Sequence, residues 1–408
     1  MKAAGLASLG VALPGLAACG GGESDASSGA GSGSGSGGGG TRKVNLGFIA
    51  LTDCAPLVMA KELGYFDERD LDVSVIKQAS WPATRDALLA GQIDGAHCLF
   101  SMPLSVATGI GGDSRDLKIA MMLNQNGQAI TLASSLEAAG YGDLEAAGDA
   151  LARAGTPALG MTFPGGTHDI WLRYWLAATG TGRDDVKIDP IPPPQMVQNM
   201  ATSAVSGFCV GEPWNAVAVR QGIGFTHLAT QDLWEHHPEK ALVVNAGFAE
   251  AKADVLRDLM GAVLQAARWL DEPDNRAEAA DTLGAEAYVN APPDEIRGRL
   301  TGVYDLGAGL GETTFDGNQM RFFRDGQVSF PRRSHAHWFL AQYQRLGYLT
   351  EPPPYAEIVD DLILTDLYAE VAAAEGVEVP DDDMAPFEVQ LDEVTFDPAD
   401  PEAEATRT

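Results

Sequence analysis

Short apolar blocks alternate with charged, helix-like stretches along most of the chain. Apolar blocks bounded by Gly, Asp or Pro are typical of buried strands, and apolar residues three or four positions apart are typical of amphipathic helices. In the first part of the chain these patterns predict strands at 44–50, 71–76, 118–122 and 129–134, and helices at 55–63 and 82–89. Strands and helices in alternation predict an α/β fold, with helices covering the faces of a parallel sheet.

A second α/β unit follows an alanine-rich, charged region at 136–154 that has helical spacing throughout. Its predicted elements are strands at 158–163, 187–191 and 207–210, and helices at 168–178 and from Gln195 onward. Long helical patterns return at 249–270 and 274–287. Two α/β units in a chain of 408 residues predict two lobes rather than one.

The first 41 residues have the composition of a targeting segment and a tether. The apolar run at 3–18 is too short to span a bilayer, and it ends in small residues followed by Cys19. It resembles a lipoprotein signal at 1–18, in which Cys19 becomes lipidated, although Lys2 is the sole charge before the run. An ordinary signal peptide with a coincidental cysteine is the alternative. The Gly- and Ser-rich segment at 19–41 predicts a flexible tether.

The other end of the chain is rich in proline and acidic residues. We expect 349–408 to be a C-terminal extension that follows the two lobes. From Asp381 onward no periodicity is visible, and this pattern predicts a mobile acidic tail.

The excess of acidic residues limits the kinds of molecule that the protein is expected to bind. Asp and Glu number 57 against 27 Lys and Arg, which gives a formal net charge of −30. Such a surface repels nucleic acid and anionic lipid headgroups, so neither is an expected partner. Solubility alone would explain the acidity, but the abundance of carboxylates with so few lysines favours adaptation to a salty habitat.

Three cysteines follow Cys19, namely Cys54, Cys98 and Cys209. They have no CxxC spacing, an odd number cannot all pair, and each lies among apolar residues. Buried free thiols are therefore expected, rather than disulfides or a metal site.

Two turns between a strand and a helix are candidate anion sites. At 162–169 a predicted strand ends at a Pro-Gly-Gly turn and a helix begins, so free backbone N–H groups and the positive end of a helix dipole meet there. His168 lies in the first turn of that helix, and a plain turn capped by Thr167 is the alternative. At 209–215 a second strand ends at Gly211, where backbone can approach a ligand closely.

The segment from His236 to Lys240 contains two histidines, a glutamate and a lysine. Neighbouring residues rarely converge on one ion, so no metal site is predicted there. Lys240 stands between a proline turn and an apolar run in an acid-rich chain. This position favours a lysine that points into a cleft, with a surface lysine as the alternative.

These residues stand in longer motifs that resemble the nitrate- and bicarbonate-binding lipoprotein family of ABC importers, of the cyanobacterial type. The motifs are 161–178, 192–197, 207–215, 237–240, 77–81, Leu123-Asn124 with Gly127-Gln128, and Ser334-His335 with Trp338-Phe339. The resemblance spans roughly residues 44 to 348. It implies a type II periplasmic-binding-protein fold, with a ligand cleft between lobe 1 (42–129 and 230–348) and lobe 2 (130–229).

The resemblance also implies the residues of the site. In this family a tryptophan, a glutamine, a histidine, a glycine and a lysine line the anion pocket. The positions that match here are Trp81, His168, Gly211 and Lys240. The glutamine region departs from the family pattern, with Gln128 as the first choice and Asn126 as the second.

The residue types favour nitrate as the ligand. Nitrate has three acceptor oxygens and no proton to donate, so a pocket made only of donors is complementary to it. Bicarbonate also needs an acceptor, and the resemblance implies that bicarbonate-binding relatives carry an acidic residue at the position of Lys240, with a calcium ion nearby. We therefore expect nitrate, with nitrite second.

The predicted function is an extracytoplasmic binding protein, held on the cell membrane by Cys19, that delivers nitrate or nitrite to an ABC permease and ATPase. No cofactor, metal or enzyme activity is expected. The alternatives are a bicarbonate-binding subunit of the same family, a nitrate sensor that binds a regulatory partner, or an enzyme on the same fold. The Gly-rich run at 307–311 lacks the strand and lysine of a phosphate loop.

Replacing the predicted lipidation site should separate anchoring from binding. Cys19→Ser should move the protein from the membrane fraction to the soluble fraction, because the acyl chains are its predicted attachment. Affinity for the anion should stay unchanged, because the tether lies outside the two lobes. Cell fractionation and a nitrate titration check the two results, and a variant that still sediments with membranes would show a different anchor.

Overall fold

The computed structural model describes residues 42–407. The predicted signal at 1–18, Cys19 and the tether at 19–41 lie outside the described residues. Within 42–407 the longest helices are too short or too polar to cross a membrane.

The described chain alternates strands and helices along its length. The strands are β1 (Arg42–Phe48), β2 (Leu71–Lys77), β3 (Gly95–Leu99), β4 (Leu117–Met122), β5 (Gln128–Ala133), β6 (Ala158–Met161), β7 (Lys187–Pro190), β8 (Gly207–Gly211), β9 (Gly224–Ala229), β10 (Lys240–Asn245), β11 (Val303–Asp305), β12 (Glu312–Thr314), β13 (Phe387–Val389) and β14 (Val394–Phe396). The helices are α1 (Ala55–Glu62), α2 (Trp81–Leu89), α3 (Met102–Ala107), α4 (Leu144–Arg153), α5 (Thr167–Ala178), α6 (Met196–Ala201), α7 (Trp214–Arg220), α8 (Thr230–Leu233), α9 (Ala246–Ala251), α10 (Ala253–Asp271), α11 (Arg276–Gly284), α12 (Pro293–Thr301), α13 (Arg333–Arg345), α14 (Tyr355–Leu362), α15 (Thr365–Ala374) and α16 (Pro401–Ala405). This order confirms the predicted α/β class.

Two five-stranded sheets form the centre of the fold. The first has the order β2-β1-β3-β10-β4, and the second has the order β7-β6-β8-β5-β9. In each sheet the strands on one side are parallel, while one strand, β10 or β5, runs antiparallel to both of its neighbours. Strand β10 joins the first sheet only after the whole second sheet has been completed, so the chain crosses between the sheets at 123–127 and again at 230–239.

Burial follows from this layered arrangement. Every residue of β3 and β8 is buried, as expected for inner strands whose two faces are both covered, and every residue of the edge strand β9 is buried as well. Cys54, Cys98 and Cys209 are free and buried, which confirms the expectation for the thiols. Burial raises the pKa of the Cys98 thiol well above its usual range, so this thiol is not ionised at neutral pH.

Most predicted strands are present within one or two residues, but the predicted helical region at 136–154 is divided. A short 3₁₀ helix, Ser134–Ala139, comes first, and α4 begins only at Leu144. Gly140 and Gly142 between them have φ of 61° and 69°, which a helix cannot accommodate. The Asp143 side chain then caps α4 by accepting from the Ala146 N–H.

The tail from Asp381 is folded, and the prediction of a mobile segment is wrong for these residues. It forms the β13–β14 hairpin and α16. The Phe387 ring stacks on Trp234, with ring centroids 4.4 Å apart and planes 5° apart. Asp392 accepts hydrogen bonds from the Tyr174 hydroxyl and the Arg407 guanidinium. The tail has few apolar residues, but they pack against aromatic rings supplied by distant parts of the chain.

Removal of the stacked ring should show how much the docking of the tail contributes to the free energy of unfolding. Phe387→Ala should lower the free energy of unfolding by about 2 kcal/mol, because the half-buried ring loses its stacking on Trp234 and its packing on Phe396. Chemical unfolding gives the value. Val379→Ala is the matched control, because Val379 is 39% exposed and should change the stability little. Equal effects of the two substitutions would argue against a docked tail.

Candidate functional site

A cluster of polar side chains lies fully buried where the two sheets approach each other. Each of its members has a relative exposure of 0%: Asp53, Trp81, His97, Gln128, Thr167, His168, Glu239 and Lys240. Charged residues are rarely buried to this extent unless they are paired or serve a ligand, so the cluster is the strongest candidate site in residues 42–407.

Lys240, the first residue of β10, lies at the centre of the cluster. Its ammonium donates to Asp53 Oδ2 over 2.7 Å and also to Glu239 Oε1. The same nitrogen lies 5.8 Å from the centroid of the Trp81 ring. Lys240 is therefore a buried lysine and not a surface one, and the expectation of a pocket made only of donors is wrong, because two carboxylates take part.

Asp53 and His97 lie beside Lys240, and both come from the region of the first sheet. Asp53 lies in a 3₁₀ turn just after β1, and His97 lies in the buried strand β3. Asp53 Oδ1 is 2.6 Å from His97 Nε2, so this carboxylate has a partner on each oxygen. The His97 ring also lies beside Trp81, with centroids 5.7 Å apart.

The second sheet contributes the start of α5. Gly165 has φ of 69°, and a Cβ on Gly166 would lie 2.9 Å from the Phe163 carbonyl oxygen, so the turn requires both glycines. Gly166 is the N-cap residue, which makes the alternative of Thr167 as the cap wrong. The Thr167 hydroxyl instead donates to Glu239 Oε1 over 3.1 Å.

His168 follows Thr167 and points into the cluster. Its Nδ1 is 2.6 Å from the Thr162 hydroxyl, and its Nε2 is 3.7 Å from Glu239 Oε1. Burial and the charge of Lys240 lower the pKa of His168 well below its usual value, so the ring is neutral at pH 7. When the Thr162 hydroxyl donates to Nδ1, the ring proton is on Nε2, where it can be donated within the cluster.

Gln128 and Gly211 face each other across β5 and β8. The Gln128 amide nitrogen is 3.5 Å from the Thr167 hydroxyl, and a Cβ on Gly211 would lie 3.2 Å from Asp53 Oδ2. Asn126 is different, because its amide donates to Asn318 and to the Gln319 carbonyl. The structure thus brings Gln128 into the cluster and directs the Asn126 side chain elsewhere.

Several buried polar atoms of the cluster have no hydrogen-bond partner among residues 42–407. They are Trp81 Nε1, His97 Nδ1, Gln128 Oε1, His168 Nε2 and Glu239 Oε2. A buried polar group without a partner costs about 1–3 kcal/mol, and five together are unusual in a stable core. The indole and imidazole N–H groups among them suit a small polar ligand that has acceptor atoms, whereas the Gln128 and Glu239 oxygens are themselves acceptors.

The three charged groups of the cluster titrate differently. Burial alone would raise the pKa of Asp53, but the charges of Lys240 and His97 outweigh it and lower this pKa to about 2. Burial raises the pKa of Glu239 to about 7, against the opposing charge of Lys240. Burial would lower the pKa of Lys240, but Asp53 and Glu239 outweigh it and raise this pKa. At neutral pH, Lys240 and Asp53 form an ion pair, and Glu239 is the carboxyl group of the cluster that burial makes easier to protonate.

Sequence reasoning missed Asp53, His97 and Thr167 as members of the cluster, and considered Glu239 only in connection with a metal. One available signal was the position of Asp53 directly after a predicted strand, where ligand sites of α/β folds concentrate. In the described part of the chain, His, Cys, Asp and Glu side chains do not form a group of three or more that could hold a metal ion.

Comparison with known proteins gives matches over most of the chain. A model described as the NMT1-like family matches residues 37–284. The nitrate/nitrite binding protein NrtA of Nostoc sp. is 42% identical over 378 residues, which cover 89% of this chain and 84% of the relative. The nitrate import ATP-binding protein NrtC of Synechocystis sp. is 37% identical over 367 residues, which cover 88% of this chain and 54% of the relative.

A solved structure has the same fold. The crystal structure of the periplasmic nitrate-binding protein NrtA from Synechocystis superimposes with a TM-score of 0.85 at 37% sequence identity. The match covers 90% of this chain and 98% of that one, so both five-stranded sheets belong to a periplasmic-binding-protein fold, as expected.

Removing the central ammonium should destabilise the folded chain. Lys240→Met should cost about 3–5 kcal/mol at about pH 8, because it leaves two buried carboxylates without their counter-charge. The pKa of Glu239 is raised on folding, so the folded chain binds more protons and loses stability as the pH rises through about 7. The cost should therefore be smaller at about pH 5, where Glu239 is protonated.

Urea unfolding at the two pH values checks this expectation. The double variant Asp53→Asn/Lys240→Met is the control, because it removes one of the stranded charges and should recover part of the loss. A Lys240→Met chain as stable as the parent at both pH values would contradict the buried ion pair.

Proposed function

The chain belongs to the NMT1-like family, alongside the nitrate/nitrite binding proteins, and we propose that it is the nitrate-binding subunit of an ABC importer. It captures nitrate, with nitrite as a second ligand, on the extracytoplasmic side and delivers it to a permease driven by an ATPase subunit. The observation that carries the proposal is the fully buried Lys240, surrounded by the unpartnered donors of Trp81 and His168.

The proposed binding mode uses neutral donors and one cation. The Trp81 indole and His168 Nε2 donate to the oxygens of the anion, the Gln128 amide adds a third donor, and the backbone at Gly211 allows close approach. Lys240 supplies the positive charge, because His168 is neutral at pH 7. A planar anion with three acceptor oxygens matches this set.

We propose that the chain forms the two lobes that the family resemblance implies, with an earlier start of lobe 2. Gln128 pairs with Gly211 in the second sheet, so lobe 2 starts at about residue 128 rather than at 130. The turn after β1 contributes Asp53 and β10 contributes Lys240 to the cluster, while α5, which follows β6 of the second sheet, contributes His168. A site built from both sheets and buried on all sides requires opening and closing of the lobes for ligand exchange.

The alternatives have less support. A bicarbonate-binding subunit is disfavoured by Lys240, which stands where the resemblance places an acidic residue in such proteins. A cytoplasmic sensor is disfavoured by the predicted signal at 1–18 and tether at 19–41. An enzyme is disfavoured because the relatives at about 40% identity are nitrate/nitrite binding proteins.

We also propose that Cys19 carries the lipid anchor and that the acidic surface suits high salt. At a net charge of −30 the whole-protein field opposes an incoming anion. The screening length falls to about 3 Å at 1 M salt, so the local donors of the cluster would then decide binding.

Calorimetry tests the proposed ligand. The Cys19→Ser chain should bind nitrate with a 1:1 stoichiometry, bind nitrite more weakly or equally, and show no heat with sulfate or taurine. Bicarbonate is titrated with and without calcium. Binding of bicarbonate together with a failure to bind nitrate would overturn the choice of ligand.

A single indole N–H should contribute measurably to affinity. Trp81→Phe keeps an aromatic ring beside His97 but removes the donor, so nitrate affinity should fall about tenfold, which is about 1.4 kcal/mol. The matched control is Trp171→Phe, because Trp171 is equally buried and its indole nitrogen also lacks a partner among residues 42–407. Its ring packs on Trp234 and Trp338 instead. Equal losses in both variants would argue against Trp81 as a ligand contact.

A further inference from the structure

Among the charged groups of the site, Glu239 is the one whose two carboxylate oxygens differ most in their hydrogen-bond partners. Its Oε1 accepts hydrogen bonds from the Lys240 ammonium and from the Thr167 hydroxyl, and lies 3.7 Å from His168 Nε2. Its Oε2 is buried and has no partner among residues 42–407. By contrast, Asp53 has a partner on each oxygen, from Lys240 and from His97.

The net charge of this cluster disfavours the binding of an anion when both carboxylates are ionised. With Lys240, Asp53 and Glu239 all ionised, the sum is −1, and a bound nitrate would make it −2 in a cluster with no exposed member. Buried like charges repel strongly because solvent screening is weak there. One of the two carboxylates must therefore lose its charge for the anion to be held beside Lys240.

We propose that Glu239 is protonated when the anion binds, so that the protein takes up one proton together with nitrate. This inference rests on the proposed function. The proton comes from solvent and adds to Oε2, the oxygen without a partner, and no covalent bond to carbon, nitrogen or sulfur is broken. The new O–H is one more donor for an anion that can only accept, and Lys240 keeps Asp53 as its single ionised partner.

The groups around Glu239 single it out as the proton acceptor. The titratable neighbours that face it are Asp53, Lys240, His168 and Cys209. The pKa of Asp53 is lowered to about 2, burial lowers that of His168 far below its usual value, and burial raises that of the Cys209 thiol. Burial raises the pKa of Glu239 to about 7, so this group alone changes its charge near neutral pH.

Proton uptake would make the affinity for nitrate depend on pH in a defined direction and by a defined amount. Below the pKa of Glu239 the proton is already in place, so the affinity for nitrate is independent of pH. Above it each bound nitrate draws a proton from solution, so the dissociation constant rises by about tenfold per pH unit. The ionised form, in turn, presents an acceptor that suits a ligand with a hydroxyl donor.

The experiment is calorimetry with nitrate as the probe and the Cys19→Ser chain as the protein. Phosphate and Tris differ in their enthalpies of ionisation. If one proton is taken up with each nitrate, the binding enthalpies measured at about pH 8 in the two buffers should differ by about the difference between these ionisation enthalpies. At about pH 5.5, in two buffers that also differ in ionisation enthalpy, the two enthalpies should agree. Equal enthalpies at about pH 8, with nitrate clearly bound, would overturn the inference and leave the proposed function standing.

The variant Glu239→Gln assigns the proton to its residue. The amide has the same size, keeps an N–H donor and carries no charge, so nitrate should bind without proton uptake and with a flat pH profile. The matched control is Glu212→Gln, because Glu212 is also fully buried with a raised pKa but faces Arg299, 3.4 Å away. This control should take up the same proton as the parent.

The remaining outcomes are also decisive. A Glu239→Gln chain that still takes up a proton would move the site of protonation elsewhere and overturn the proposal. If this variant does not fold, the two-buffer comparison on the parent decides the question without it. Failure of the parent to bind nitrate at any pH would overturn the proposed function, and the inference with it.

Discussion

The ammonium of Lys240, held between the carboxylates of Asp53 and Glu239, is the interaction on which the site depends. All three groups have a relative exposure of 0%, and charges so deeply buried are tolerated only with close partners. Glu239 also accepts from Thr167 at the start of α5, so the same network ties the first sheet to the second. A change in any of its charges therefore affects both the stability of the fold and the capacity to hold an anion.

The fold brings these groups together through the ends of its strands. Lys240 begins β10, Gly211 ends β8 and Gln128 begins β5, while Asp53 follows β1. Strand ends are where backbone polar groups and glycine turns leave room for a ligand, and this is how a chain with a net charge of −30 can bring a lysine ammonium and neutral donors into one buried cluster. The surface charge acts at a distance and is screened by salt, whereas the donors of the site act at contact.

The C-terminal extension is an integral part of the same fold. Its hairpin stacks Phe387 on Trp234, in the segment through which the chain crosses from the second sheet to the first. Asp392 and Arg407 bind Tyr174 of α5, and Glu404 accepts from Gln342 of α13. The extension thus contacts the crossover segment and two helices, which is a position from which it stabilises their relative placement.

The sequence by itself determined the α/β class, most of the strands, the glycine turn before α5, and the positions of Trp81, His168 and Lys240. Those features depend on local periodicity, on turn chemistry and on motifs that resemble a known family. Tertiary structure decided that Lys240 is paired with Asp53, 187 residues earlier in the chain, that Gln128 rather than Asn126 enters the site, and that the tail docks. The reason is physical, because a buried charge takes its partner from whatever the fold places beside it, and no local pattern records that choice.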